Sequence, residues 1–419
     1  MQNNLLFLCK KYYNIILRRN IKLVTDKYTI REMNERLVLE QIIKNGPISR
    51  ASIASTIGLN KATISAITKK LIDESLVHEI GIGNSTHSGG RKPILLVFNK
   101  CAGISLSMDI GYDYIFSSLS YLDGTIINSK KLTDIQVSKD NVIQLIDEII
   151  NSYNISKIDT PYKVIGLTLA IHGITCENKV LFTPYYNLNE IDLYSILSKK
   201  YDFPIHIENE ANLTALAENT FSTVHNSLLS LSIHSGFGSG IIINNKLYSG
   251  RNGMSGEIGH TIIMPNGKLC PCGNRGCLEQ YCSEKKVFEQ LSSLENIPKI
   301  DSDIVKQLYY EDNQNAKKVI HEFCSYLTIA INNAITTYAP EIIYLNSQII
   351  SDIPEILQIT KDMLVSSFNK GINIEISSLG SEASLYGGSA VNIKSFLNIQ
   401  NLTLINEIGS PKKKRKVTR

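Results

Sequence analysis

The sequence predicts two unlike parts that meet near residue 100: a three-helix unit closed by a hairpin, then a larger α/β region of two lobes facing across a cleft. Three observations predict this. Two short helical stretches separated by a glycine, the second one basic, precede two apolar runs around a glycine-rich tip. After Cys101 strand-rich and helical segments alternate in two halves. At 419 residues the chain is long enough for two or three domains, each with its own core.

Composition excludes several classes. Hydrophobic content of 43% and charged content of 20% are ordinary for a globular chain. No apolar run approaches the ~18–20 residues of a membrane span. Residues 1–29 read as a basic N-terminal extension, with an apolar run broken by Lys10 and Lys11 and no cleavage site behind it. Eight cysteines in a chain of this length are no disulfide scaffold, and a reducing, cytoplasmic compartment is expected. The tail "GSPKKKRKVTR" carries six basic residues; setting them aside takes the formal charge from +4 to −2. "PKKKRKV" resembles a nuclear localisation peptide and Gly409-Ser410 a cloning junction. Residues 409–419 are therefore read as a linker and a nuclear localisation tag that would direct the chain to a eukaryotic nucleus.

Residues 30–98 read as a winged helix-turn-helix. "REMNERLVLEQIIKNG" places Leu37, Ile42 and Ile43 on an apolar side and stops at Gly46-Pro47. "SRASIASTIG" buries Ile53, Ala54 and Ile57 and ends at Gly58. "NKATISAITKKLIDESL" has Asn60 at the N-cap and Ile64, Ile67 and Leu71 at helical spacing. A strand, a tip with Arg91 and Lys92, and a second strand follow as the wing. Between Arg31 and Lys100 ten Lys/Arg face six Asp/Glu, a local surplus in an otherwise acidic body. Cations meet phosphates, and short polar side chains at the start of a recognition helix reach base edges. The candidate DNA contacts are Arg50, Asn60, Lys61, Thr63, Ser65, Lys69, Lys70, Arg91 and Lys92.

Residues 101–405 form the α/β region. "AGISLSMDIGYDYIFSSLSYLDGTIINSKKL" reads as three strands turning at Gly111 and Asp123-Gly124, with a helix at "NVIQLIDEIINSYN" and a strand at "YKVIGLTLA". "PIHIENEANLTALAENTF" reads as a strand running into a helix, and "SLLSLSIHSGFGSGIIINNKLYSG" as two strands around a glycine-rich turn. That turn alone is weak evidence of phosphate binding. Between Gly256 and Cys282 the chain packs Cys270, Cys272 and Cys277 around Gly273 and Gly276, a spacing that lets three thiolates converge on one ion. His260 or Cys282 could supply a fourth ligand.

"MDIG", "IENEAN", "SGFGSGIII", "GEIGH" and "CPCGNRGCLE", in this order, resemble the ROK family of repressors and sugar kinases over roughly residues 30–399. The resemblance implies an α/β, two-lobed actin-like ATPase (ROK) fold preceded by the winged helix-turn-helix. It implies a structural zinc held by His260, Cys270, Cys272 and Cys277, pinning the loop of Glu257 and His260 beside a sugar. Asn209, Glu210, Glu257 and His260 would bind that sugar, with Asn187 a looser candidate. The expected function is a sugar-responsive repressor, at least a homodimer, that binds a palindromic operator and is released by D-xylose or a related sugar. The alternative is a sugar kinase of the same family. Three departures speak against it: "DIGYDY" places bulky Tyr112 and acidic Asp113 where the family's loop is small, and Glu210 stands where an aspartate base is usual. No residue is assigned a catalytic role. His172-Gly173 departs from the family's Pro-Gly at the interlobe turn.

Overall fold

The computed structural model describes residues 27–82, 93–222 and 225–404. The chain divides into two units at Phe98/Asn99. In the first, α1 (Lys27–Asn45) begins three residues before the expected boundary. Its inward face is Val38, Leu39 and Ile42; Leu37 is exposed and Ile43 half-buried, so the expected stripe is rotated by about one residue. α2 (Arg50–Ile57) is capped by Ser49, whose side chain accepts from the Ser52 N–H. It ends at Gly58, whose φ of 76° lets the amide turn back to Ala54. Ile53 and Ala54 are buried, but Ile57, at the frayed end, is only half-buried. α3 (Lys61–Asp73) starts where the Asn60 side chain accepts from Thr63, and buries Ile64, Ile67, Thr68 and Leu71. The strands β1 (Ile48–Ser49), β2 (Val77–Ile82) and β3 (Ile94–Phe98) form an antiparallel sheet in the order β1-β3-β2. The wing tip, with Arg91 and Lys92, lies outside the described residues, as do the tag and nearly all of the N-terminal extension.

The first lobe of the larger unit is a five-stranded sheet in the order β10-β7-β4-β5-β6. Its strands are β4 (Ile104–Ile110), β5 (Tyr114–Tyr121), β6 (Ile126–Thr133), β7 (Val164–Ile171) and β10 (Ile205–Asn209). β4 to β6 form the expected antiparallel meander; β7 returns parallel to β4 after α4 (Val142–Ser152), and β10 parallel to β7. A small hairpin, β8 (Ile174–Cys176) and β9 (Lys179–Phe182), and α5 (Leu193–Lys200) lie between them. The second lobe repeats the plan with β11 (Ser227–Ile233), β12 (Phe237–Ile243), β13 (Lys246–Leu247), β14 (Ile342–Asn346) and β15 (Asn373–Ile376), ordered β13-β12-β11-β14-β15. α7 (Glu284–Glu295), α8 (Ser302–Tyr310) and the long α9 (Gln314–Tyr338) bury a continuous apolar core against it.

Two helices lie between the sheets. α6 (Glu210–Phe221) packs on β11 and β12, and α10 (Ala383–Leu397) packs on β4 and β7. Both are buried on nearly every side, so polar residues inside them must be paired. Asn392 donates to the Ser105 hydroxyl and the Leu106 carbonyl and accepts from Thr168, while Ser389 bonds Ser120. At the α6–α10 crossing a Cβ on Gly387 would stand 2.0 Å from the Leu213 carbonyl oxygen, so only glycine fits. Among the described residues no helix is long and apolar enough to cross a membrane.

Candidate functional site

A cleft of about 370 Å³ opens between the lobes. It lies at the carboxyl ends of β4, β7, β10 and β11, where strands hand over to loops and side chains converge. Those ends deliver Gly111, Tyr112 and Tyr114; His172 and Gly173; Asn209 and Glu210; and Ser232, His234 and Gly236. The fourth wall is the 254–279 loop, with Glu257, His260, Cys272, Asn274 and Glu279.

Asn209 caps α6: its side-chain oxygen accepts from the Asn212 N–H at 3.0 Å and its amide donates to the Gly173 carbonyl at 2.7 Å. Glu210, the first residue of the helix, is buried and accepts from the Ser232 hydroxyl at 2.8 Å. Asp109 is fully engaged by protein groups. His172 Nε2 lies 2.8 Å from its Oδ1, the Tyr114 hydroxyl donates to the same oxygen at 3.3 Å, and Ser384 donates to Oδ2 at 2.8 Å. Burial alone would raise the Asp109 pKa; the charge and hydrogen bond of His172 outweigh it and hold the carboxyl below its ordinary value. Burial likewise would lower His172, and Asp109 instead lifts it.

His234, at the end of β11, has Nδ1 3.9 Å from the Glu284 carboxylate. Burial opposes its charge, but Glu284, helped by Glu210 and Asp109, pushes its pKa up to about 9. A folded-state pKa above the ordinary 6.5 means the imidazolium favours the folded state, fully below pH 6.5, and that contribution is lost as pH rises through about 9. The melting-temperature gap between the unmodified protein and His234→Gln is therefore expected to be widest near pH 6 and to close above about pH 9. A pH-independent gap in calorimetric scans would refute the pairing.

The 254–279 loop brings His260, Cys270, Cys272 and Cys277 together, with one ligand atom from each inside a 4.8 Å span. Cys270 Sγ lies 3.5 Å from His260 Nδ1, and Cys272 and Cys277 Sγ are 3.7 Å apart. A tetrahedral ion with metal–ligand bonds near 2.0–2.3 Å needs its ligands roughly 3.5–3.8 Å apart, so the set fits a metal ion. Cys282 does not join it: its thiol is buried in the second-lobe core, toward the Phe323 carbonyl. His260 turns its other nitrogen, Nε2, toward Glu257 Oε2 at 3.6 Å, inside the cleft. Glu279 accepts from the Cys270 thiol at 3.1 Å and lines the same wall.

Several expected residues fall elsewhere. Asn187 is not among the cleft-lining residues; its side-chain oxygen accepts from the Lys139 N–H and ties down a first-lobe loop. Asp113 is exposed outside the cleft, and Tyr114 fills the space over Gly111 instead. On the helix-turn-helix, Lys61, Ser65 and Lys69 are exposed and Thr63 half-buried, while Asn60 caps α3. Arg50 and Lys70 are turned to internal partners. Arg50 donates to Thr68 and pairs with Glu79 at 2.6 Å, and Lys70 pairs with Glu35 at 2.6 Å. The sequence reading did not use His234, Ser232, Tyr114 or Tyr185. Its available signal was the pair Ile171-His172 and Ile233-His234, each a histidine that ends an apolar strand.

Residues 105–394 match the ROK family, and residues 34–77 match a winged helix-turn-helix DNA-binding family. The chain is 38% identical over 387 residues to the protein named xylose repressor of Bacillus spizizenii, covering 90% of this chain and 99% of that one. Its structure resembles that of a ROK family transcriptional regulator described as a homologue of the E. coli MLC protein, with TM-score 0.73 and 27% identity over 89% of this chain and 99% of that one. It also shares the fold of a ROK family glucokinase from Streptomyces griseus, solved with glucose and AMPPNP, at TM-score 0.60 and 20% identity over 69% and 99% of the two chains.

Proposed function

We propose, on the premise that this chain belongs to the ROK family, that it is a transcriptional repressor whose operator binding is switched off by a sugar held between its lobes. The observation that carries the reading is a DNA-binding unit attached to a cleft where the Asp109 carboxylate, at the end of β4, is already occupied. Asp109 spends both oxygens on His172, Tyr114 and Ser384, and the Tyr114 ring covers Gly111. A kinase needs that carboxylate and that backbone open to a metal–nucleotide; a receptor needs only the sugar contacts. The protein is therefore expected to form no sugar phosphate from ATP.

D-Xylose is the inducer we infer, supported by relatives named xylose repressor at 37–38% identity. Glu210, Glu257 and His260 offer the acceptors and donors that several sugar hydroxyls require, with Asn209 positioning the α6 end. Zinc is the ion that three cysteines and one histidine fit best, and with four protein ligands its role is structural. It would hold Glu257 and His260 in place on the sugar wall. Two copies would present two α3 helices to a palindromic operator, and sugar would favour the closed lobes. Release then follows only from a difference in affinity for sugar between the DNA-competent and closed states.

The test is a gel shift with an operator fragment, with and without D-xylose. Binding in the absence of sugar and release by xylose are expected; release by glucose and not by xylose would overturn the inducer assignment. The exposed lysines refine the DNA face. Lys61→Ala and Lys69→Ala should each weaken operator binding and reduce the slope of log affinity against log salt by about one ion. Lys70→Ala should leave that slope unchanged, because Lys70 is paired with Glu35. Unchanged slopes in both exposed-lysine variants would place the DNA on another surface.

A further inference from the structure

The cleft rim carries a contact that neither the metal loop nor the α6 cap explains. Tyr185 follows β9 in the first lobe and lines the cleft. Its ring centroid stands 5.6 Å from that of Tyr112, tilted by 48°. The Lys285 ammonium, carried by α7 of the second lobe, lies 4.7 Å from the same centroid. A first-lobe aromatic is thus clamped by a first-lobe ring and a second-lobe cation, the geometry of cation–π attraction across the gap. The cleft is near the small end of the ~300–1,000 Å³ typical of ligand sites. Its lining holds Glu210, Glu257 and Glu279 but, among the described residues, no lysine or arginine.

We propose that Tyr185, held by its contacts with Tyr112 and Lys285, restricts the cleft to one monosaccharide ring and excludes sugars extended through a glycosidic bond. This rests on reading the cleft as a sugar site. A second ring must leave through the rim, and to admit it Tyr185 must swing out, breaking the ring contact and the Lys285 contact together.

The experiment is titration calorimetry of the full chain with D-xylose, D-glucose and their β-1,4-linked disaccharides. The unmodified protein is expected to bind a monosaccharide, and its disaccharide about 100-fold more weakly or worse. Tyr185→Ala should narrow that ratio to about tenfold or less, and Lys285→Ala should narrow it partway. Tyr185→Phe, which keeps the ring, should hold the original ratio. A disaccharide that binds the unmodified protein as tightly as its monosaccharide overturns the limit while the sugar reading stands. So does a Tyr185→Ala protein that binds the monosaccharide and still refuses the disaccharide. Absence of binding by every sugar to every variant overturns the sugar reading and the limit with it.

Discussion

Replacing Glu257 with alanine is expected to produce a repressor that stays on its operator whatever the sugar concentration. Glu257 lines the cleft with Oε2 3.6 Å from His260 Nε2, so its loss removes an acceptor for the sugar and leaves that ring nitrogen without its carboxylate neighbour. Each unmade buried hydrogen bond costs ~1–3 kcal/mol. Two of them lower sugar affinity by roughly 25-fold to 20,000-fold at 1.4 kcal/mol per factor of ten. The residue belongs to the unit beginning at Asn99, not to the one carrying α3, so operator affinity without sugar should change little. Gel shifts with and without D-xylose separate the two effects. Normal release from Glu257→Ala would remove this residue from the site, and partial recovery in Glu257→Gln would assign the loss to hydrogen bonding.

Cys272→Ser should cost the metal, the stability of its loop and the sugar response together. Cys272 is the exposed member of the four, so trading sulfur for oxygen there disturbs little packing. Whatever is lost is then lost through the ion. Structural zinc in small folds is worth ~10–16 kcal/mol. Forfeiting even ~3 kcal/mol of that lowers the melting temperature of a domain of 150–250 residues by roughly 6–12 °C. Elemental analysis should fall from about one zinc per chain in the unmodified protein to well below that in the variant. Exhaustive chelation of the unmodified protein should reproduce the loss of sugar response. Cys282→Ser, in the apolar core, should lower stability and keep the metal. Unmodified protein without zinc, and a Cys272→Ser variant equally stable, would eliminate the metal centre.

What was legible in the chain followed short-range physics. The Asn60 cap, the Gly58 stop, the β4–β6 meander and the strand-to-helix step at Asn209 are all written within a few residues, and all appear as expected. Three thiols around two glycines pointed to one ion, and only burial could separate His260 from Cys282 as its fourth ligand. The α1 face slipped because "RLVLEQII" offers apolar residues at neighbouring positions, and packing chose Val38 over Leu37. The ion pairs of Arg50 and Lys70 are not legible because their partners, Glu79 and Glu35, are 29 and 35 residues away. α10 was not read at all. A helix that mixes Gly, Ser, Ala and Asn with Leu, Tyr and Ile and is buried on nearly every side shows no amphipathic stripe, and its logic lies in the serines of a distant sheet.

The glycines of the wall that carries the Cys/His cluster have a consequence for how this pocket could acquire a new ligand. At Gly256, Gly259 and Gly276 an added methyl would lie 1.8–2.0 Å from a carbonyl oxygen, and at Gly256 and Gly276 the backbone has φ of 88° and 83° as well. Substitution there breaks the wall before it can reshape it. The facing side is built from Ile174, Phe182, Pro184 and Tyr185, with Phe182 and Tyr185 partly open to solvent. Directed evolution toward a different inducer should therefore accumulate its changes on one side of the pocket and leave the other invariant. One half of the cleft is a fixed reference surface, and the other is the adjustable jaw.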